Sequence, residues 1–253
     1  MIDIHCHIIP GVDDGPDSFD EALEMAEIAE KDGINTIVAT PHHIEGLYQI
    51  SPLNLLEKLK TFNERLATNN IKIQILMGSD LHISYEFIAK IETNNLLTIN
   101  DTKYVLIELP THFLPIKIRG LLKSMINNSW IPIISHPERN YLFQRSPNIL
   151  FDFISDGSLA QVTAMSITGE FGYEVKKMAK KMIAHNLVHI IATDAHSKDF
   201  RPPVLSKGLK AASKIIPYDD AYDMVKTIPE SIIKGDAVFT NPPQRIRKIF
   251  NLF

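Results

Sequence analysis

Short apolar runs rich in β-branched residues recur along the chain at Ile2–Ile4, Thr36–Thr40, Ile71–Met77, Tyr104–Leu109, Ile131–Ser135, Leu159–Val162 and Val188–Ala192. Each is bounded by turn formers, which predicts seven buried strands. The stretches between them repeat with helical spacing. Ser18 and Glu21 form a capping box ahead of Phe19, Ala22, Leu23 and Ala26, and Lys31-Asp32-Gly33 closes that helix. Ser51 as N-cap and Pro52 at the first helical position open a second helix carrying Leu55, Leu56, Leu59, Phe62 and Leu66. Residues 116–128 and 171–186 read the same way, with Met125 and Met178 as core filler, and the tail from Pro217 reads as one or two short helices covering the fold. Strict strand–helix alternation implies right-handed crossovers and a parallel sheet with helices outside; seven units point to a closed α/β barrel in a single domain, residues 1–253.

Composition narrows the chemistry. With 253 residues, 45% of them hydrophobic, the chain can bury one sizeable core. A formal net charge of −4 with no long run of either sign gives no electrostatic footprint for nucleic acid or a membrane surface. The start, Met1-Ile2-Asp3-Ile4-His5, lacks a leader pattern, and no uninterrupted apolar stretch is long enough to span a bilayer, so a soluble cytoplasmic protein is expected. Cys6 is the single cysteine, which excludes an internal disulfide and Cys-rich zinc modules. Any metal must therefore be held by His, Asp and Glu.

Such residues follow nearly every predicted strand. The first ends in His5 and His7 with Asp13-Asp14-Gly15 close behind, and the second in Pro41-His42-His43. The third runs into Gly78-Ser79-Asp80, the fourth ends at Glu108, the fifth meets His136-Pro137-Glu138-Arg139, and the seventh meets Asp194-Ala195-His196. In a parallel barrel these positions converge on one rim, where barrel enzymes build their sites. Residues two apart on a strand share a face, so His5 and His7 make a metal pair and Cys6 packs on the opposite side. His185, near a helix C-terminus, and His189, inside a strand, are left out of the site; His82 and His112 stay open, with the mouth of the site as one place for them; Glu138 is read as a structural partner of Arg139. Asp13 and His43 stay open as substitutes for Asp14 and His42.

The ordered set His5-x-His7, Asp14-Gly15, Thr40-Pro41-His42, His136-Pro137-Glu138-Arg139 and Asp194-x-His196 resembles the PHP (polymerase and histidinol phosphatase) family over the whole chain. With Val12-Asp13-Asp14-Gly15-Pro16 and Arg201-Pro202-Pro203 added, it looks like the bacterial capsule-associated protein-tyrosine phosphatases of that family. The resemblance implies a distorted seven-stranded (β/α)7 TIM-like barrel, three divalent ions (manganese first, iron or zinc as alternatives) and a metal-activated hydroxide as nucleophile. The implied substrate is the tyrosine-phosphorylated tail of a kinase that controls capsule or exopolysaccharide synthesis. By matching motif, His5, His7 and Asp194 would hold one ion, Glu108 and His136 a second, and Asp14, His42 and His196 a third. Asp80 stands where relatives carry a bridging glutamate. Arg139 and Arg201 fall where the family contacts phosphate, a task suited to a forked guanidinium.

An aryl phosphate suits such a site, because a phenolate of pKa ~10 leaves with little protonation. The cysteine-dependent route is excluded: it needs an arginine about six residues after the thiolate, and the first arginine after Cys6 is Arg65. Two other functions fit the same residues: a phosphatase of a small phosphomonoester such as histidinol phosphate, and a metal-stabilised regulatory subunit without turnover. Homo-oligomerisation is left open.

Overall fold

The structure, a computed structural model, describes residues 1–83 and 97–247. Strands β1 (Ile2–Cys6), β2 (Thr36–Ala39) and β4 (Gln74–Met77) form one sheet in the order β1-β2-β4. Strands β3 (His42–His43), β5 (Asp80–His82), β6 (Tyr104–Glu108), β7 (Ile131–Ser135), β8 (Leu159–Thr163) and β9 (Ile190–Ala192) form a second in the order β3-β5-β6-β7-β8-β9. Every strand pairing is parallel. The fold is thus a mixed α/β domain with parallel sheets.

The observed strands differ from seven uninterrupted ones, because the second and third runs are each divided. Thr36 lies opposite Gln74 and Ala39 opposite Met77; beyond the breaks His42 lies opposite Asp80, in the same register. Pro41, which has no N–H to give to a ladder, interrupts one run, and Gly78-Ser79 interrupts the other. At the far side, Cys6 bridges to Ala195 in parallel. The N–H groups of Asp194 and His7 donate to the carbonyls of His5 and Ala195, both at 2.8 Å.

Two apolar layers flank the strands. Alternate residues Val105, Ile107, Ile134, Ala160, Val162 and Ile191 pack outward against the helices. The opposite set, including Ile2, Ile4, Val38, Tyr104, Leu106, Ile133, Leu159, Ile190 and Ala192, forms a separate inner cluster. The outer layer is supplied by α1 (Phe19–Lys31) through Ala22, Met25, Ala26 and Ala29, and by α2 (Pro52–Thr68) through Leu55, Phe62 and Leu66. The Ser18 Oγ accepts the Glu21 N–H at 3.3 Å, whereas the Glu21 carboxylate reaches the N–H of Asp17 rather than that of Ser18. Helices α3 (Ile118–Asn127), α4 (Tyr141–Arg145), α5 (Asn148–Ser155), α6 (Ala164–Thr168), α7 (Tyr173–Ala184) and α8 (Ser206–Ala212) follow.

The tail forms α9 (Tyr218–Asp223) and α10 (Thr227–Lys234). Ile232 of α10 joins the inner cluster beside Ile2 and Ile4, and the carbonyls of Met224 and Val225 accept from the N–H groups of Ile191 and Ile2. It closes the end of the inner cluster at which the strands begin. Among the described residues no helix is long and apolar enough to cross a membrane.

Candidate metal centre

On each strand the inner face carries apolar side chains first and ligand-type side chains after. Tyr104 and Leu106 precede Glu108, Val38 precedes Thr40 and His42, and Leu159 precedes Gln161, all at spacing two. Three backbone features adjust this period. In β1 the register shifts between Asp3 and Cys6, so that Ile2 and Ile4 lie in the inner cluster while Cys6 lies in the outer one. Such a bulge re-aims the side chains beyond it, and His5 and His7 face the inner site. His136 (φ 31°) and Asp194 (φ 52°) take left-handed backbone at the ends of their strands, which is rare for residues other than glycine and here turns each inward. Gly78 allows a close approach, since a Cβ there would lie 2.7 Å from Val38 Cγ1; at Gly15 it would lie 2.3 Å from the His7 carbonyl oxygen.

The ligand-type atoms fall in overlapping groups, each within 4.8 Å: His7, Asp14, His42 and His196; His5, His136 and Asp194; His42, Asp80 and Glu108; and His5, His7 and Asp80. All the histidines and carboxylates proposed as ligands from sequence are brought together. The partition differs from the one implied by resemblance: His7 groups with Asp14, His42 and His196, while its Nε2 also stands 3.5 Å from Asp194 Oδ1. Asp80 is fully buried between His5 Nε2 at 3.6 Å and His42 Nδ1 at 3.4 Å.

Several imidazoles are oriented from behind. The Gln161 Oε1 lies 3.0 Å from His5 Nδ1, Asp13 Oδ2 lies 2.7 Å from His7 Nδ1, and the Asp194 carbonyl lies 2.9 Å from His196 Nδ1. Each partner is an acceptor, which favours the proton on Nδ1 and would leave Nε2 to face an ion, the arrangement usual for a metal-ligating histidine. Asp13 also accepts the N–H groups of His42 and Gly15, which makes it the orienting carboxylate and leaves Asp14, 3.4 Å from His196 Nε2, in the cluster. Asp3, buried, accepts from Thr193 N–H and Oγ1 and from His5 N–H, tying β1 to β9 below the site.

The electrostatics are those of a cluster short of positive charge. Burial together with Asp80 pushes the Glu108 carboxyl up to about 7, and burial pushes His5 down to about 4. Burial alone would lower the His7 imidazole, yet its hydrogen bonds to Asp13 and Asp194 lift it to about 10. Asp14, Asp80, Glu108 and Asp194 crowd four carboxylates into one cluster, and both Asp80 oxygens and His42 Nδ1 are buried without a hydrogen-bond partner among the described residues. Unpaired buried carboxylate oxygens cost several kcal/mol or take up protons. Divalent cations would satisfy them, and the all-nitrogen-and-oxygen donor set fits hard to borderline ions. The Cys6 thiol takes no part: it is buried in the outer layer and burial raises it well above the usual thiol range.

Beside the cluster, Arg139 and Arg201 both bind Asp194 Oδ2 through Nη2, Arg201 at 2.6 Å, and Arg201 also donates to the Asp194 carbonyl at 2.8 Å. Asp194 Oδ1 faces His5 at 3.4 Å. The Nε atoms of both arginines are buried without a partner among the described residues. Glu138 is buried and accepts the Thr163 N–H at 3.0 Å, so its structural role is to anchor the start of α6 as well as to neighbour Arg139.

His189 is buried and its Nδ1 accepts the Ala160 N–H at 3.2 Å; His185 caps α7, 2.8 Å from the Lys181 carbonyl. His82 lies on β5, half-buried, and burial lowers its imidazole; His112 is exposed. Asp3, Gln161 and Thr193 escape a reading based on strand ends because each lies inside or directly after an apolar run, where polar residues read as interruptions.

Residues 1–234 match the family described as capsular polysaccharide synthesis, CpsB/CapC. The chain is 35% identical to the tyrosine-protein phosphatase YwqE of Bacillus subtilis, with all of both proteins covered, and 39% identical to CapC of Staphylococcus aureus over 82% of this chain and 81% of that protein. A chain from the crystal structures of YwqE from B. subtilis and CpsB from Streptococcus pneumoniae, called unique metal-dependent tyrosine phosphatases, superposes with a TM-score of 0.94 at 34% identity, covering 98% of this chain and 100% of that one.

Proposed function

The chain belongs to the CpsB/CapC family of capsular polysaccharide synthesis proteins, and from that premise we propose that it is a metal-dependent protein-tyrosine phosphatase. The resemblance read from its motifs is borne out at the level of the family. The single observation that carries the activity is the meeting of His5, His7, Asp14, His42, Asp80, Glu108, His136, Asp194 and His196 beside two arginines whose buried Nε donors have no partner among the described residues. An anion with several acceptor oxygens answers those donors, and a phosphoryl group is such an anion.

In this reading those nine side chains, Asp80 among them, would hold divalent ions, three in number, manganese ahead of iron or zinc. When bound, the ions supply Lewis acidity, lowering the pKa of water and neutralising charge on the phosphoryl oxygens. The protein's own groups do the rest. Gln161, Asp13 and the Asp194 carbonyl hold the imidazoles in one tautomer, and Arg139 and Arg201 transfer part of their hydrogen bonding from Asp194 to the phosphoryl group. A phenolate leaves with little protonation, so this reading assigns no residue as a dedicated general acid. We read the two sheets as one distorted seven-stranded barrel, supported by the shared register across the breaks and by the Cys6–Ala195 bridge. The substrate we assign is a tyrosine-phosphorylated kinase tail in the cytoplasm.

The test is hydrolysis of a phosphotyrosyl peptide, a seryl phosphate peptide and histidinol phosphate by protein stripped with chelator and reloaded with single metals. The expected result is loss of activity and a lower melting temperature on stripping, recovery with manganese, and preference for the phosphotyrosyl peptide. Full activity after stripping overturns the metal reading; preference for histidinol phosphate overturns the substrate.

A further inference from the structure

The segment after β8 leads from Thr163 to Gly172 and ends beside the arginines. Its half-buried Phe171 presents its ring to both guanidinium groups, with Cζ of Arg139 5.1 Å and Cζ of Arg201 5.8 Å from the ring centroid. Both lie within the roughly 6 Å range of cation–π attraction. The same two groups meet on Asp194 Oδ2. Two like charges so close repel, and they stay together only where negative charge or π density faces both.

The ring is fixed by its segment. The N–H groups of Gly169 and Glu170 donate to the Met165 carbonyl at 2.9 and 3.1 Å, that of Gly172 donates to the Gly169 carbonyl at 3.0 Å, and Lys176 Nζ donates to the Thr168 carbonyl at 2.7 Å. Glu138, the neighbour of Arg139, holds the start of the segment through the Thr163 N–H. The residue just before Arg139 thus anchors the start of the segment that carries the ring.

We propose that Phe171 is a positioning residue for phosphate binding: its ring is the platform that keeps Arg139 and Arg201 paired and aimed at one anion. The proposal rests on the reading of those arginines as the phosphate clamp. Asp194, the carboxylate that pairs them, also belongs to the ligand cluster. The ring supplies attraction that does not compete with an incoming phosphoryl group, because a π system accepts none of the in-plane hydrogen bonds a phosphoryl oxygen would take. Phe171 touches no reacting atom in this scheme and acts through the arginines.

The experiment is calorimetric titration of metal-loaded protein with inorganic phosphate, for wild type, Phe171→Leu and Phe171→Tyr, with metal content and kcat and KM for a phosphotyrosyl peptide measured in parallel. Leucine keeps the bulk and removes the π face; tyrosine keeps both. Phe171→Leu should bind phosphate roughly five- to tenfold more weakly and show a raised KM with metal content unchanged, as expected for losing two partly exposed cation–π contacts, and Phe171→Tyr should stay within about twofold of wild type. Unchanged phosphate affinity in Phe171→Leu overturns the proposal, as does an equal loss in both variants, which would mark the ring as mere packing. Failure of wild-type, metal-loaded protein to bind phosphate would overturn the clamp itself, a result distinct from the others because it appears before any substitution.

Discussion

The inner faces of the strands hold two regions a few residues apart that obey different rules. The first, built from Ile2, Ile4, Val38, Tyr104, Leu106, Ile133, Leu159, Ile190 and Ala192, is apolar, and the strands that frame it keep regular register. The second, immediately beyond, gathers imidazoles and carboxylates where the ladder is broken: a bulge in β1, the gaps at Pro41 and Gly78, and left-handed backbone at His136 and Asp194. Regular pleating suffices to bury hydrocarbon, because any side chain on the right face contributes roughly in proportion to its apolar area. Aiming several ligands from different strands at common points requires departures from the period. The apolar region accounts for stability that needs no ion, and the polar region carries buried charge that is relieved only by protons or cations.

Four sets of substitutions test that contrast. The largest effect belongs to Asp80, whose oxygens are buried without a hydrogen-bond partner among the described residues. Asp80→Asn should lower metal occupancy and reduce activity by about 100-fold or more, beyond the 10- to 100-fold typical of partners that merely orient ligands, while Asp80→Glu is tolerated; metal analysis alongside kinetics checks both. Equal metal content and rates in wild type and Asp80→Asn would place Asp80 with the bland polar residues of a turn. Next, Arg139→Lys or Arg201→Lys should cost about 100-fold in kcat/KM with normal metal content, since lysine keeps the charge and loses the fork; wild-type turnover would remove that residue from the site.

In the apolar region, Leu106→Ala should destabilise the protein by about 2–5 kcal/mol in urea unfolding, and the metal content of the protein that remains folded should not change. Coupling between the two, seen as metal loss in this variant, would break the division. The smallest effect is expected for Asp13→Asn, which keeps the size of the side chain and weakens its hold on His7; metal affinity should fall about tenfold, less than for Asp14→Asn. The opposite order in direct titrations would exchange the roles of the two aspartates.

Much of this was legible in the residues. The alternation of apolar runs with amphipathic stretches marks the strand positions, and the first two helices begin at Ser18 and Ser51 as their capping chemistry requires. Less legible were α4 to α6, which are short, and whose apolar residues stand in clusters such as Ile149-Leu150-Phe151 that suit a strand as well as a helix. The segment 163–172 lies between the predicted strand Leu159–Val162 and the helical stretch 171–186; it contains α6 and places Phe171 against two arginines distant in sequence.

The sequence by itself determined the donor set and its positions: one cysteine and many histidines leave only nitrogen and oxygen ligands, and a parallel alternation puts every strand end on one side. Those properties are local, fixed by residue type and by the period of a strand. Tertiary structure decided what depends on distance across the chain. It made Asp13 the partner of His7 and left Asp14 in the cluster, set His7 between two ligand groups, and brought Gln161 to His5 and Asp3 to Thr193. Two neighbouring aspartates are chemically identical until the fold supplies one with an imidazole at hydrogen-bonding distance, and no pattern along the chain encodes which one that will be.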